Sequence, residues 1–380
     1  MKICFFNSGF LPSKGGVATY SYEWAINSSN SDKVDKVQIV SFGNPRPRYE
    51  RLNKKTKLVA FNSRNFFFIA FTTFIYFIKF FRFNYFHATN LFPVGFFVVF
   101  FSKIFGKKSV LTFHGTDAAA SGIRPTNAKL RNWAIEHATK VIAVSNFTKD
   151  EITRRLNIKR PDITVIHSAV PLNSMLRNYS LEKARTESEI IKKDLSLSAN
   201  DFVVLSVSTL APRKGLDYLI KAIASLSDPN VKLILVGRGP EQKKLEELIE
   251  QLNVKDRIIL TGSVDKVLPY YLLSNLVTLV SYYDREAGDF EGLGLVLLEA
   301  QYMGIPVIGT ASGGIPEAID DQVSGFVVPE KDPAIIAQKI SHLKNNPELY
   351  KLMRLKAREF VSSKFNAEKN INQYINLLNK

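Results

Sequence analysis

Cysteine is almost absent: Cys4 is the single one in 380 residues. An internal disulfide and any cysteine-rich metal site are thereby excluded. Cys4 sits in an apolar run and reads as a small buried hydrophobe, and a reducing compartment is permitted. Also missing is an apolar run long enough to span a bilayer. The most apolar stretch, Phe66–Phe81 (FFFIAFTTFIYFIKFF), is preceded by Arg64, broken by Lys79 and followed by Arg82. A spanning helix wants about 20 apolar residues, and the next stretch is interrupted by Asn84, His87, Asn90, Pro93 and Gly95. In the opening MKICFFNSGF, Asn7, Ser8 and Gly9 end the apolar run, which predicts a buried strand rather than a signal peptide. Neither half carries G-x-G-x-x-G after its first strand, which argues against an NAD-dependent enzyme. The basic residues are dispersed and form no nucleic-acid-binding motif, so no nucleic-acid partner is expected.

What is present is a globular composition, 46% hydrophobic and 23% charged, in a chain long enough for two domains. The charge is lopsided. Residues 1–180 carry 26 Lys and Arg against nine Asp and Glu, a net +17, whereas residues 181–380 come to −1. A basic half points to a polyanionic partner; of nucleic acid, an anionic membrane and a phosphorylated substrate, the first lacks its motif and the other two remain. Phenylalanine is lopsided too, with 17 of 28 between Phe61 and Phe105. Most of these are expected in a buried helix, and the run between basic residues is also compatible with lying on a membrane surface.

Short apolar runs alternate with helical patterns from end to end. In the first half strands are expected at Lys2–Phe6, Val37–Ser41, Leu58–Phe61, Tyr85–Ala88, Ser109–Phe113, Lys140–Val144 and Thr164–Ile166. The second half adds Val203–Val207, Lys232–Val236, Ile258–Leu260, Val277–Val280, Val307–Gly309 and Gly325–Val328. Such alternation predicts parallel sheets covered on both faces. The polar stretch Ser174–Leu197 marks the boundary. The expected organisation is a first domain over 1–175, a linker over 176–200 and a second domain over 201–363. Ligands of open parallel sheets bind at the carboxyl ends of the strands, which points to a cleft between the domains.

Several strand ends carry chemistry. After the first strand, Gly15 and Gly16 precede a helix, where amides and the helix dipole suit an anion; a plain tight turn is the alternative. His114-Gly115-Thr116-Asp117 follows Ser109–Phe113, giving a histidine able to donate a hydrogen bond or take a proton, and an acid to orient it or meet a hydroxyl; taken alone, a capped turn is the favoured alternative. Arg213 and Lys214 open a helix after Val203–Val207 and offer a planar fork and a point charge to a diphosphate; a solvated basic turn is the alternative. Gly237 and Gly239 follow Lys232–Val236 and allow close backbone approach to a ligand. The densest cluster runs from Glu286 to Ala300. Glu291 precedes Gly292, Leu293, Gly294 and Leu295 at a helix start whose free amides suit phosphate or a sugar oxygen. Glu299 lies among apolar neighbours and needs a buried partner. Thr310–Glu317 adds a further glycine pair at a strand end.

Taken together, these residues resemble the retaining glycosyltransferases of family 4, the group 1 transferases, over essentially the whole chain. The resemblance implies an α/β GT-B fold, two Rossmann-like domains with parallel sheets facing across a cleft. It implies that Gly15 and Gly16 lie near donor phosphates or acceptor, that His114 contacts the transferred sugar, and that Arg213 and Lys214 hold the diphosphate. Glu291 then binds sugar hydroxyls, with the amides of Gly292–Leu295 nearby, and Glu299 binds the ribose. No metal ligand set is visible and the family needs no metal, so no cofactor is expected beyond a UDP- or GDP-sugar donor. The last helix, about 364–380, is expected to return to the first domain. Two departures lie at the domain junction: His167-Ser168-Ala169 in place of an Asn-Gly turn, and Phe365-Asn366 in place of the usual aromatic. The stretch Arg285–Glu299 is most similar to bacterial enzymes acting on lipid acceptors. The expectation is therefore a lipid-linked or polysaccharide acceptor, at the inner face of the cell membrane, in a cytoplasmic, peripherally bound enzyme. A soluble acceptor, or a non-transferase GT-B enzyme such as a sugar epimerase, is the alternative.

Overall fold

The computed structural model describes residues 1–11, 15–115, 125–158, 160 and 162–380. The chain divides into two compact units. One comprises Met1–Ser174, Glu286–Gly292 and Ala367–Lys380; the other comprises Met175–Arg285 and Leu293–Asn366.

The first unit runs β1 (Lys2–Ser8), α1 (Gly16–Asn30), β2 (Lys36–Phe42), β3 (Arg48–Arg51), β4 (Thr56–Ala60), α2 (Phe66–Lys79), β5 (Tyr85–Ala88), α3 (Phe96–Ile104), β6 (Lys108–Phe113), α4 (Pro125–His137), β7 (Lys140–Ala143), α5 (Asn146–Arg155) and β8 (Ile163–Val165), then a single turn α6 (Leu172–Met175). Its eight strands lie in the order β3-β4-β2-β1-β5-β6-β7-β8. All neighbours are parallel except β3 and β4. The central strand β1 is covered on both faces: Ile3, Cys4, Phe5 and Phe6 have no exposed surface. This is why it reads as an unbroken apolar run rather than an alternating one.

The second unit runs α7 (Leu181–Asp194), β9 (Phe202–Val207), α8 (Leu216–Ser225), β10 (Val231–Val236), α9 (Gln242–Gln251), β11 (Ile258–Gly262), α10 (Leu268–Leu273), β12 (Leu276–Leu279), α11 (Leu295–Tyr302), β13 (Val307–Thr310), β14 (Gly325–Val328), α12 (Pro333–Lys344) and α13 (Pro347–Lys364). Six strands form a wholly parallel sheet in the order β11-β10-β9-β12-β13-β14. In α8, Leu216, Leu219, Ile220 and Ile223 are buried at helical spacing. Each such side chain contributes roughly 1.5–3 kcal/mol by leaving water. The final helix α14 (Ala367–Asn379) belongs to the first unit. There Tyr374 meets His87 (2.8 Å) and Trp24, and Asn370 donates to the His167 carbonyl (2.9 Å).

Two expectations need correcting. The stretch 176–200 is not simply a linker: most of it is α7, which has Ser180 as its N-cap and packs against α10 of the same unit. Nor is Phe66–Phe81 a buried helix. In α2 one face buries Ile69, Thr72, Thr73, Tyr76 and Phe77, while Phe67, Phe71, Ile75 and Ile78 are exposed. A helix apolar all round turns only one face to a sheet, so half of its phenylalanines stay outside.

Candidate functional site

In the second unit the strand order reverses between β9 and β12. In open parallel sheets such a switch point, at the carboxyl ends of the strands, is where ligands bind. Arg213 and Lys214 lie there, half-buried, in the 3₁₀ turn Pro212–Lys214 between β9 and α8. The turn is held from the β12 side, where the Tyr282 amide donates to the Arg213 carbonyl at 2.8 Å. Gly237 and Gly239 pack the next loop onto this one. A Cβ on Gly237 would lie 1.8 Å from the Ser208 carbonyl oxygen, and one on Gly239 2.2 Å from that of Leu210. These glycines are needed here for loop-on-loop packing, whereas the approach expected of them was to a ligand. At the same edge the hydroxyls of Ser208, Ser281 and Ser312, following β9, β12 and β13, are buried without a hydrogen-bond partner. An unsatisfied buried hydroxyl costs about 1–3 kcal/mol, so the edge is rich in groups suited to a polar ligand.

Helix α11 begins beside this edge. Gly294 caps it in the left-handed region (φ 90°) and, as glycine, brings no capping side chain of its own; the helix start carries partial positive charge at Leu295. Further along α11, half-buried Glu299 accepts a hydrogen bond of 2.5 Å from the Tyr271 hydroxyl. Tyr271 is itself buried, and burial, followed by the Glu299 charge, pushes its phenol well above the usual range. It therefore stays protonated and acts as a donor, holding one carboxylate oxygen of Glu299 in place. Tyr271 is the buried partner that the sequence pattern called for; no local signal 28 residues away identified it.

In the first unit, His114 and Gly115 follow β6, and Gly292, the residue after Glu291, is brought against them. A Cβ on Gly292 would lie 2.2 Å from the His114 carbonyl oxygen, and one on Gly115 3.0 Å from the Gly292 Cα. The neighbouring Phe290 is fully buried, edge-on to Phe147 at 5.0 Å. Ser145 caps α5 and bonds Thr148 (2.8 Å), which reaches the Gly292 carbonyl at 3.5 Å. None of Phe147, Thr148 and Phe290 was singled out from the sequence, because each reads as an ordinary core or cap residue.

The His114 ring packs edge-on to Tyr20 at 4.3 Å. Burial pushes its pKa down to about 3, partly opposed by a hydrogen bond to the Thr89 backbone. Its Nε2 is buried and has no hydrogen-bond partner. The neutral ring, donating to a backbone carbonyl through its other nitrogen, presents Nε2 as an acceptor for a hydroxyl. Gly15 and Gly16 are exposed at the start of α1, with Gly15 at φ 126° and no capping side chain. Asp117 lies outside the described residues, as does Pro12–Lys14. Among the described residues no group of three or more His, Cys, Asp and Glu is arranged to hold a metal ion. No helix among them is long and apolar enough to cross a membrane.

The model of Glycosyltransferase Family 4 matches residues 14–174, and that of Glycosyl transferases group 1 matches residues 187–360. The chain belongs to the family 4, group 1 glycosyltransferases. N-acetyl-alpha-D-glucosaminyl L-malate synthase of Bacillus anthracis is 31% identical over 70% of this chain and 66% of its own. A GDP-mannose-dependent alpha-(1-6)-phosphatidylinositol monomannoside mannosyltransferase of Mycobacterium tuberculosis is 31% identical over 43% of each chain. The chain thus spans between about two fifths and two thirds of the length of these two curated relatives. Anabaena HepE, solved in complex with UDP and glucose, superposes over the whole of both chains with a TM-score of 0.79 at 20% identity, a likeness of fold. The two parallel-sheet, Rossmann-like units are those of a GT-B glycosyltransferase.

Proposed function

We propose that this glycosyltransferase moves a hexose from a UDP- or GDP-sugar to a lipid-linked or polysaccharide acceptor, with retention at the anomeric carbon. The observation carrying the reading is the carboxyl edge of the second sheet, where two cations, a glycine-capped helix start and a braced carboxylate sit around one switch point. Arg213 and Lys214 meet the diphosphate, and the α11 amides add partial positive charge, so side chains and backbone rather than a metal stabilise the leaving group. Glu299, oriented by Tyr271, accepts from the ribose hydroxyls. His114 Nε2 and Glu291 accept from hydroxyls of the transferred sugar. The acceptor oxygen bonds to the anomeric carbon on the face from which the diphosphate departs. The C–O bond to the β-phosphate breaks, the acceptor's proton passes to that phosphate, and a nucleoside diphosphate is released.

The basic, phenylalanine-rich first unit supports an acceptor at the inner face of the cell membrane, reached by a cytoplasmic enzyme bound peripherally. The malate named in the Bacillus anthracis relative favours a second reading, a small soluble acceptor. Thermal shift against UDP, GDP and ADP and their common sugars tests the donor assignment, because a ligand of the native state raises its stability by mass action. Absence of any shift, together with no nucleoside diphosphate released from any nucleotide-sugar, refutes the activity.

A further inference from the structure

The outward face of α2 inverts the pattern of a soluble amphipathic helix. Threonines, Thr72 and Thr73, are buried, whereas Phe67 is 79% exposed, Phe71 66%, Ile75 41% and Ile78 53%. These four recur at helical spacing over about 11 residues, a stripe of about 17 Å. Helix α3 lies alongside, joined through Phe74 to Phe101 (5.6 Å) and through Phe66 to Phe97 (4.8 Å). It adds exposed Phe100 and Ile104. Contiguous apolar surface of this kind marks an interaction site on a soluble unit.

The charge around it identifies the partner. From Arg51 to Phe113 there are ten Lys and Arg and no Asp or Glu. Several of these cations border the stripe: Lys79 ends α2, Arg82 follows it, Lys103 lies in the last turn of α3, and Lys107 sits over the exposed Phe81 ring at 3.9 Å. The exposed residues of α2 are all apolar apart from Lys79, so no polar group there specifies the register of a protein partner. Apolar side chains ringed by cations match an anionic lipid surface, whose acyl boundary takes phenylalanine and whose headgroups take lysine and arginine. By contrast, Lys55 is engaged with the Ser31 carbonyl (3.0 Å), and Arg64 lies across Gly43. We infer that the α2–α3 face is the membrane-inserting surface of this protein, with Phe67, Phe71, Ile75, Ile78, Phe100 and Ile104 entering the acyl boundary of an anionic leaflet. This inference rests on the peripheral association proposed above.

Vesicle co-sedimentation of the full chain tests it, with phosphatidylglycerol–phosphatidylcholine against pure phosphatidylcholine. Binding is expected to the anionic vesicles and to leave a salt-resistant fraction, because apolar insertion is not screened. Phe67→Asn combined with Phe71→Asn is expected to abolish that fraction and weaken partitioning about tenfold or more. Joint Lys79→Gln, Arg82→Gln, Lys103→Gln and Lys107→Gln is expected to weaken low-salt binding while leaving nucleoside diphosphate binding intact. In Phe71→Trp, the added fluorescence is expected to be quenched by lipids brominated in the acyl chain. No vesicle binding by the native chain overturns both the surface and the membrane reading. Native binding that the Phe67 and Phe71 substitutions leave unchanged overturns the surface alone. So does a concentration-dependent dimer that those substitutions dissolve, since the face then joins two copies of the chain.

Discussion

Replacing Gly292 by alanine separates the sugar end of the proposed site from the nucleotide end. The added Cβ would lie 2.2 Å from the His114 carbonyl oxygen, whereas a carbon–oxygen contact needs about 3.3 Å. The Cβ is fixed by its own backbone and its partner is main chain, so no rotamer relieves the overlap and the two segments must part by about 1 Å. That displaces Glu291 and the Gly292 amide relative to His114. Misplacing a positioning group by about 1 Å costs on the order of 10²-fold in rate. The expected result is a loss of about 10²-fold in kcat/KM for nucleotide-sugar turnover, read as released nucleoside diphosphate. Binding of the bare nucleoside diphosphate, assigned to Arg213, Lys214 and Glu299, should change little when measured by calorimetry. A Gly292→Ala enzyme with unaltered kcat/KM refutes the assignment. So does one that loses bare-nucleotide affinity in the same proportion, since the damage is then general.

Arg213→Ala and Lys214→Ala should each lower turnover by about 10²–10³-fold at saturating donor, as removal of one donor to developing charge does; near-normal rates in both move the diphosphate elsewhere. Tyr271→Phe and Glu299→Gln should weaken nucleoside diphosphate and nucleotide-sugar binding alike, whereas Glu291→Gln should weaken only the sugar-bearing ligand. Calorimetry with both ligands decides this, and equal losses at Glu291→Gln count against a sugar contact there. His87 is buried between Tyr374 and Thr112 (2.8 and 2.7 Å), and burial, with the His114 charge second, pushes its pKa down to about 3. The unfolded chain therefore binds the extra proton between about pH 6.5 and 3, so stability is full above that window and falls as pH drops through it, by about 2 kcal/mol at pH 5. Denaturant titrations should show a shallower acid loss in His87→Gln, and parallel profiles for the two proteins would show that His87 does not titrate on unfolding.

Some of this was legible along the chain and some was not. The strands buried on both faces, such as Lys2–Phe6 and Lys232–Val236, announce themselves as unbroken apolar runs, and the turns after them carry the glycines and charges. Helix α7 was not legible, because a polar helix with few buried positions looks like a linker. Nor was the two-sided character of α2. Periodicity distinguishes an apolar face from a polar one, and a helix apolar all round offers no such contrast.

The sequence by itself determined the alternation of strands and helices, the asymmetry of charge, and which residues end up at strand termini, since these depend on neighbours along the chain. Only the tertiary structure decided which termini meet. It set Tyr271 on Glu299, laid Gly292 on the His114 carbonyl, and placed Tyr374 of the last helix against His87. Those pairs are separated by 28, 178 and 287 residues. Long-range contacts of this kind follow from how sheets and helices pack as bodies, a property of summed buried surface that no local pattern encodes.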